Sequence, residues 1–193
     1  MKHWTRLSSI TALTIALQGC AGALIGGAAT AVGVAHDRRT AGTYVEDETI
    51  EQKSTHALEM AGLSSRGHIN ATSYNRAVLL TGEIADRASR NRAETAVRGV
   101  EQVKTVYNEL AIMPASSFAS RSSDTWITTK VKTALFQVDG IRDFDPTRVK
   151  VVTERGIVYL MGLLRPREAE AVTATVRHVA GVQKVVRIFE YLE

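Results

Sequence analysis

The chain contains 193 residues, 45% of them hydrophobic, and its 24 Lys and Arg residues outnumber its 20 Asp and Glu residues by a net charge of +4. The excess is uneven: residues 44–115 carry 8 basic and 10 acidic residues (net −2), whereas residues 121–193 carry 12 and 9 (net +3). This weak basicity predicts no nucleic-acid partner, and at most a weakly held anionic partner for the second half.

The amino-terminal residues have the three-part layout of a secretory signal peptide. Lys2 and Arg6 supply positive charge, and residues 7–17 form an uncharged apolar stretch. That stretch is shorter than the roughly 20 apolar residues that a transmembrane helix needs. The alternative is an uncleaved spanning helix, because residues 7–35 contain no Asp, Glu, Lys or Arg, although Gly residues interrupt this region. We predict that residues 1–19 are a signal peptide.

Cys20 is the only cysteine of the chain, so no internal disulfide and no multi-cysteine metal site can form. Residues 17–20 (LQGC) resemble a lipobox, which implies cleavage before Cys20 and acylation of its sulfur and its new amino group. Several acyl chains give a stable membrane anchor. The small, Gly-containing residues that follow predict a flexible tether, which together with the acylated cysteine spans residues 20–43.

An internal repeat follows the tether. Residues 78–82 (VLLTG) match residues 158–162 (VYLMG), and residues 99–103 (GVEQV) match residues 181–185 (GVQKV). The offset between the copies drifts from 80 to 82 residues, as small loop insertions would produce. The sequence therefore predicts two copies of one small domain, at residues 44–113 and 124–193, joined by the Ser-rich linker 114–123.

Each copy shows the same order of predicted elements. Its opening helix buries one apolar face, with Ile50 and Leu58 in the first copy, and with Ile127, Val131 and Leu135 behind an Asp124 N-cap in the second. Two strands (68–73 and 77–80, or 148–153 and 157–161), a helix (87–98, or 166–179) and a last strand (103–112, or 184–192) follow. We therefore predict an α+β fold in which two helices cover one face of a small mixed sheet of about three strands.

This order of elements, with a Gly at the end of the hairpin and Gly-Val before the last strand, resembles the BON domain family. Two such copies behind a lipobox are similar to the dual-BON outer-membrane lipoproteins. The similarity covers essentially the whole mature chain, and its motifs are residues 37–40 (DRRT), 42–43 (GT), 106–109 (VYNE), 124–131 (DTWITTKV), 151–154 (VVTE) and 161–163 (MGL). The Trp126 run is the most specific of them.

The search for catalytic chemistry finds little. The five histidines, His3, His36, His56, His68 and His178, show no partner at a metal-ligand spacing, so we expect no metal site and no cofactor. Asp143 and Asp145 flank Phe144 just before Pro146, where Asp is typical of turns rather than of acid–base catalysis. No phosphate-binding or dinucleotide fingerprint occurs in the sequence. We predict that the protein is not an enzyme and has no small-molecule substrate.

The opening helix of the second copy carries the clearest candidate site. At 100° per residue, Trp126 and Phe136 lie far from the core stripe, on an outer arc that also contains or borders Thr129, Lys130, Lys132, Thr133 and Gln137. Aromatic rings beside Lys suit a lipid headgroup boundary. The matching helix of the first copy carries five acidic residues and one basic residue over residues 46–59, with Glu51 among its outer positions, so anionic lipid should repel it.

Two interpretations of the Trp126 face remain open on the residues alone: contact with lipid, or packing against the other domain, the linker or another protein. The family resemblance implies the first, with anionic phospholipid bound by this helix. It also implies a lipid-anchored protein of the outer membrane that faces the periplasm and supports envelope integrity, with division sites as one place where it would act. Ala21 after the cleavage point agrees with passage to the outer membrane. The alternative function is an adaptor that docks an envelope-assembly or cell-wall protein.

Overall fold

A computed structural model describes residues 37–138 and 140–193. Cys20, the signal peptide and most of the predicted tether lie outside the described residues. Arg38–Glu193 forms one compact unit that contains all the described helices and strands. Among the described helices, none combines the length and the apolar character that crossing a membrane requires.

The first domain is built from two helices and a four-stranded mixed sheet. Helix α1 (Ala41–Met60) leads to strands β1 (Gly67–Tyr74) and β2 (Ala77–Ile84), followed by helix α2 (Arg87–Arg98) and the short strands β3 (Thr105–Asn108) and β4 (Ala111–Ile112). Strand β2 is central, because it pairs antiparallel with β1 and parallel with both β3 and β4. The predicted last strand, 103–112, is therefore interrupted, and both of its pieces lie along β2.

The second domain repeats this plan with a three-stranded sheet. Helix α3 (Phe118–Leu135) is followed by a 3-10 turn (Pro146–Arg148), strands β5 (Val149–Glu154) and β6 (Ile157–Leu164), helix α4 (Pro166–Arg177) and strand β7 (Lys184–Tyr191). Strand β6 pairs antiparallel with β5 and parallel with β7. The prediction of an α+β fold with a small mixed sheet and two helices is confirmed in both copies. The sheet has the predicted three strands in the second copy and four in the first, where the last strand is divided.

Helix α3 starts earlier than its apolar pattern indicates. The prediction of Asp124 as its N-cap is wrong, because the helix begins at Phe118 and the side chain of Ser117 accepts the capping hydrogen bond from the backbone N–H of Ser120. The last six residues of the predicted linker are thus helical. Ser-rich sequence reads as a linker, but a Ser at the N-cap position stabilises a helix start just as well.

Each domain has its own apolar core between its helices and its sheet. Ile50, Leu58, Val78, Leu80 and Val97 lie in the first core, as the predicted core face of α1 requires. The second core contains the corresponding side chains of α3, β5, β6 and α4, among them Ile127, Val131, Leu135, Val158, Leu160, Val172 and Val176.

A third buried cluster joins the two domains. Tyr74 and Leu79 of the first sheet pack with Tyr159, Met161 and Ile188 of the second. Tyr74 and Tyr159 are only 3% and 2% exposed, so the sheet faces that carry no helices are covered by each other rather than by water. The two domains therefore form a single folded body, and separating them would expose this apolar surface.

Candidate functional site

Helix α3 is held against the second sheet by its buried face and by a buried carboxylate. Ile127, Val131 and Leu135 are at most 5% exposed and belong to the domain core. Asp124, one turn before Ile127, accepts hydrogen bonds from the backbone N–H groups of Arg155 and Gly156, both at 2.8 Å. These contacts fix the rotation of the helix, so that its opposite face points to solvent.

Three aromatic side chains lie on this solvent-facing side. Trp126 and Phe136 are 64% and 73% exposed, as their predicted outward positions require, and Phe118 is 78% exposed. Phe118 and Phe136 are 18 residues apart, which at 3.6 residues per turn places them at the same angle, about 27 Å apart along the axis. Trp126 and Phe136 are therefore not buried against the first domain or the linker. We call Phe118, Trp126 and Phe136 the aromatic face.

Phe118 was not predicted as part of this face. It lies in the predicted linker, and no apolar periodicity extends back to it through Ser120, Ser122 and Ser123. The only sequence signal for an earlier helix start is Ser117, a residue type favoured at helix N-caps, followed by residues that a helix tolerates. This signal is weak on its own.

The polar residues predicted beside Trp126 differ in what they offer a ligand. Thr129 and Thr133 are exposed, but their hydroxyl groups donate to the backbone carbonyls four residues earlier, at 3.0 Å in each case. The ammonium group of Lys130 donates a hydrogen bond to the carbonyl of Ala180 in the loop after α4. This contact within the domain makes Lys130 less available to an external ligand. Lys132 and Gln137 are exposed and extend from the end of the helix. Lys132 is thus the most available cation of the predicted set.

Helix α1 of the first domain provides an internal comparison. Its exposed large hydrophobic residues are Val45 and Met60, near opposite ends of the helix, and it carries no exposed Phe, Tyr or Trp ring. The placement of Glu51 on its outer side is wrong. The Glu51 carboxylate accepts hydrogen bonds from the Lys150 ammonium at 2.6 Å and from the Ser73 backbone at 2.8 Å, so it belongs to the interdomain contact.

Residues 38–40 contact both domains rather than extending freely. Arg38 makes a two-pronged ion pair with Glu168 of α4, with both N–O distances at 2.6 Å, and also donates to the carbonyl of Leu163. Arg39 pairs with the buried Asp47 at 2.7 Å and stacks 3.9 Å above the Tyr74 ring. The described part of the predicted flexible tether is therefore fixed in place.

The ion pair controls the ionisation of Glu168. Burial acts to raise the pKa of Glu168, but the hydrogen bonds from Arg38 and from the Arg165 backbone, with the nearby charges of Arg38 and Arg148, lower it below its ordinary value. The same hydrogen bond raises the pKa of Arg38. Both groups stay charged at neutral pH, and they attach the start of the folded unit to the second domain.

A group of polar side chains is buried where β2 of the first domain meets β5 of the second. His68 and Glu83 lie directly opposite each other in the β1–β2 pairing, and Glu154 approaches from the other sheet. One ligand atom from each of the three lies within 4.8 Å of the others. We call these three residues the interdomain cluster. Sequence spacing could not reveal it, because its members are 15 and 71 residues apart.

The surroundings of the interdomain cluster disfavour the ionised form of Glu154. Burial, together with the negative charges of Glu83 and Asp124, raises the pKa of Glu154 to about 6, while Asn70 and Arg155 act in the opposite direction. Glu83 is fully buried.

The remaining candidates have structural roles. Asp145 accepts hydrogen bonds from the backbone and hydroxyl of Thr147 and caps the 3-10 turn, as its predicted turn position requires. His178 is the exposed C-cap of α4, in agreement with its predicted cap or surface role.

The match to a domain-family model agrees with this two-domain fold. The BON domain model matches residues 46–114 and 123–192. The chain is 43% identical over 189 residues to the outer membrane lipoprotein DolP of Haemophilus influenzae, covering 97% of this chain and 96% of that protein. It is 35% identical to the 21 kDa hemolysin of Actinobacillus pleuropneumoniae, covering 81% and 80% of the two chains. The carboxy-terminal domain of CdsD, a type III secretion protein of Chlamydia trachomatis, aligns with 74% of this chain and 96% of that chain at 10% identity and a TM-score of 0.31.

The chain belongs to the BON-domain family, with two copies of the domain in tandem. Within that family it is a dual-BON protein of the DolP type, a lipoprotein of the outer membrane.

Proposed function

We propose that the protein binds anionic phospholipid through the aromatic face of α3 and does so without catalysing a reaction. The supporting observation is that Phe118, Trp126 and Phe136 are all strongly exposed on one side of one helix. Large aromatic rings on a soluble surface lose contact with water when they enter a headgroup region, and full burial of one such side chain is worth roughly 1.5–3 kcal/mol.

Charge favours an anionic surface over a neutral one. Lys132 is exposed beside the aromatic face, and a cation close to an anionic bilayer contributes about 1 kcal/mol. The carboxylates of the same helix do not oppose this, because Asp124 is buried and bonded to the β5–β6 turn. Helix α1 has neither exposed rings nor an excess of exposed positive charge, so we assign membrane contact to the second domain.

The proposed role is selection of a location. Acylation of Cys20 would hold the protein at a bilayer, and the aromatic face would then choose regions rich in anionic lipid, such as division sites. A weak contact is sufficient for this, since an anchored face has a high effective concentration at the membrane. By favouring such regions the protein would support the integrity of the outer membrane.

Vesicle binding tests the proposal on residues 38–193, the compact unit that contains both domains. Trp126 is the only Trp in this segment, so its fluorescence reports directly on insertion. We expect a blue shift and co-sedimentation with phosphatidylglycerol-containing vesicles, and neither with phosphatidylcholine alone. Trp126→Glu should weaken co-sedimentation at least tenfold, and Met60→Glu, at an exposed apolar residue of the first domain, should leave it unchanged.

Equal binding by Trp126→Glu and the parent would reject the lipid proposal. The exposed rings also fit an adaptor that docks an envelope protein, since exposed aromatic residues are enriched at protein interfaces. In that case vesicles of either composition would leave the fluorescence of Trp126 unchanged.

A further inference from the structure

We propose that the interdomain cluster of His68, Glu83 and Glu154 is a binding site for a divalent transition-metal ion, best suited to Zn²⁺, that links the two BON domains. The ligands would be one imidazole nitrogen and one oxygen from each carboxylate. Zn²⁺ accepts both imidazole nitrogen and carboxylate oxygen as ligands, and three protein ligands leave a fourth position for water.

The first observation is a concentration of unsatisfied polar atoms. Among the described residues, seven buried side-chain nitrogen or oxygen atoms have no hydrogen-bond partner, and two of them belong to the cluster itself: His68 Nδ1 and Glu83 Oε1. Buried polar atoms are almost always paired, so an unpaired nitrogen and an unpaired oxygen in one place suit a bound cation or water that contacts both. Glu83 Oε1 is the stronger evidence of the two, because Glu83 is 0% exposed and the ion-pair partner of this oxygen, Arg155 Nε, is 3.9 Å away.

The second observation is the arrangement of the ligand atoms. Those of His68, Glu83 and Glu154 lie within 4.8 Å of one another. A tetrahedral Zn²⁺ with bonds of about 2.0–2.2 Å holds its ligand atoms roughly 3.4 Å apart, so the three ligand atoms would approach one another by at most about 1.4 Å. Both carboxylates are already oriented by hydrogen bonds: the Ser116 backbone donates to Glu83 at 3.0 Å, and the Asn70 amide donates to Glu154 at 3.3 Å. Such contacts are typical of the support around metal ligands.

The third observation is charge. Glu83 and Glu154 are 0% and 5% exposed and offer ligand atoms within 4.8 Å of each other, and Asp124 lines the same cleft as Glu154, whereas Arg155 and Arg121 are the cations that border them. A buried excess of negative charge is costly unless it is neutralised. A bound dication would offset the negative charge that Glu83 and Glu154 bring together in the cluster.

An entry path to the cluster is present. A cleft of about 230 Å³, lined by His68 and Glu154 with Asn70, Thr128 and Thr153, opens between β1 of the first domain and α3 and β5 of the second. An ion reaching the cluster through this cleft would bind His68 and Glu83 from one domain and Glu154 from the other. Metal binding would therefore stabilise the docked arrangement of the two domains.

Zn²⁺ binding to the full-length protein in detergent tests this proposal. The protein carries a tag without histidine and is first treated with EDTA. We expect one Zn²⁺ per chain, a rise in melting temperature with ZnCl₂ but not with MgCl₂, and visible absorption bands of tetrahedral Co²⁺ after substitution with CoCl₂. His68→Gln and Glu154→Gln should each weaken Zn²⁺ binding at least about 100-fold.

The control is His178→Gln, which changes an exposed histidine far from the cluster in sequence and should bind Zn²⁺ like the parent. Glu154→Gln removes a charge that is repelled in the apo protein, so this variant should fold well, and a loss of Zn²⁺ binding there reports on the ligand itself. Absence of stoichiometric binding, or binding that persists in His68→Gln, would overturn the proposal. Either result would mean that water alone occupies the cluster, or that Zn²⁺ binds at another histidine.

Discussion

Asp47 and Asp124 hold the same contact in the two domains: each buried helix carboxylate accepts hydrogen bonds from two consecutive backbone N–H groups at the turn of the following hairpin. Asp47 binds Asn75 and Arg76, both at 2.7 Å, and Asp124 binds Arg155 and Gly156. All four turn residues have positive φ, the conformation of the tight turns that suit the twist of a hairpin. The helix thus fixes the turn that defines the strand register.

Replacement of Asp124 by Asn should destabilise the unit by about 2–3 kcal/mol. One of the two carboxylate oxygens becomes an NH₂ group that faces a backbone N–H, and the charge that strengthens the remaining hydrogen bond is lost. Urea denaturation of residues 38–193 measures the change in the free energy of unfolding. Glu48→Gln, at an exposed carboxylate of α1, should change it by less than about 0.5 kcal/mol. Similar values for the two variants would contradict a structural role for the Asp124 contact.

The Arg38–Glu168 ion pair should make stability depend on pH. Because the pKa of Glu168 is lower in the folded protein, its contribution is complete above the ordinary value of 4.5 and disappears as pH falls through the lowered value. Glu168→Gln should therefore lose about 3 kcal/mol at pH 7, and its difference from the parent should shrink below pH 4.5. Melting curves from pH 3 to pH 7 measure this. A difference that stays constant over this range would contradict the assignment.

Glu154 should show the opposite dependence. Its pKa rises to about 6 on folding, so the folded state binds its proton more tightly than the unfolded state, and stability is lost as pH increases from the ordinary value of 4.5 through 6. In EDTA, Glu154→Gln should be more stable than the parent by about 1–2 kcal/mol at pH 7.5 and nearly equal to it at pH 4. Asn70→Ala, which removes the amide that favours the charged form, should raise the pKa of Glu154 further.

The repeat and its apolar periodicity predicted the fold because they reflect local requirements. Apolar residues such as Ile127, Val131 and Leu135 recur at helical spacing, so they share one face of the helix. That face is stable only when it is buried, and here it packs against the sheet. Helix α2 has the predicted bounds, since Asp86 before it and Gly99 after it are recognisable end signals. The outward positions of Trp126 and Phe136 followed from the same helical geometry.

Contacts between distant segments could not be predicted in this way. Asp124 reads as an N-cap, because nothing in its neighbourhood shows that residues 155 and 156 will turn back to it. Glu51 reads as solvent-facing because its partner, Lys150, is 99 residues away in the other domain. The burial of Tyr74 and Tyr159 against each other's domains has the same origin, as does the interdomain cluster.

Phe118 should contribute to membrane binding as much as Phe136 does, because the two rings are equally exposed at opposite ends of the same face. Phe118→Ser and Phe136→Ser should each weaken binding of residues 38–193 to phosphatidylglycerol vesicles by about three- to tenfold, as expected for rings that are partly inserted. Lys132→Gln should lower affinity less at high salt than at low salt, since salt screens its attraction to phosphate. Co-sedimentation at two salt concentrations measures both effects, with Val45→Ser of α1 as the matched control. If Phe118→Ser behaves like Val45→Ser, the membrane-binding face does not extend to the start of α3, and contact is confined to Trp126 and the end of the helix.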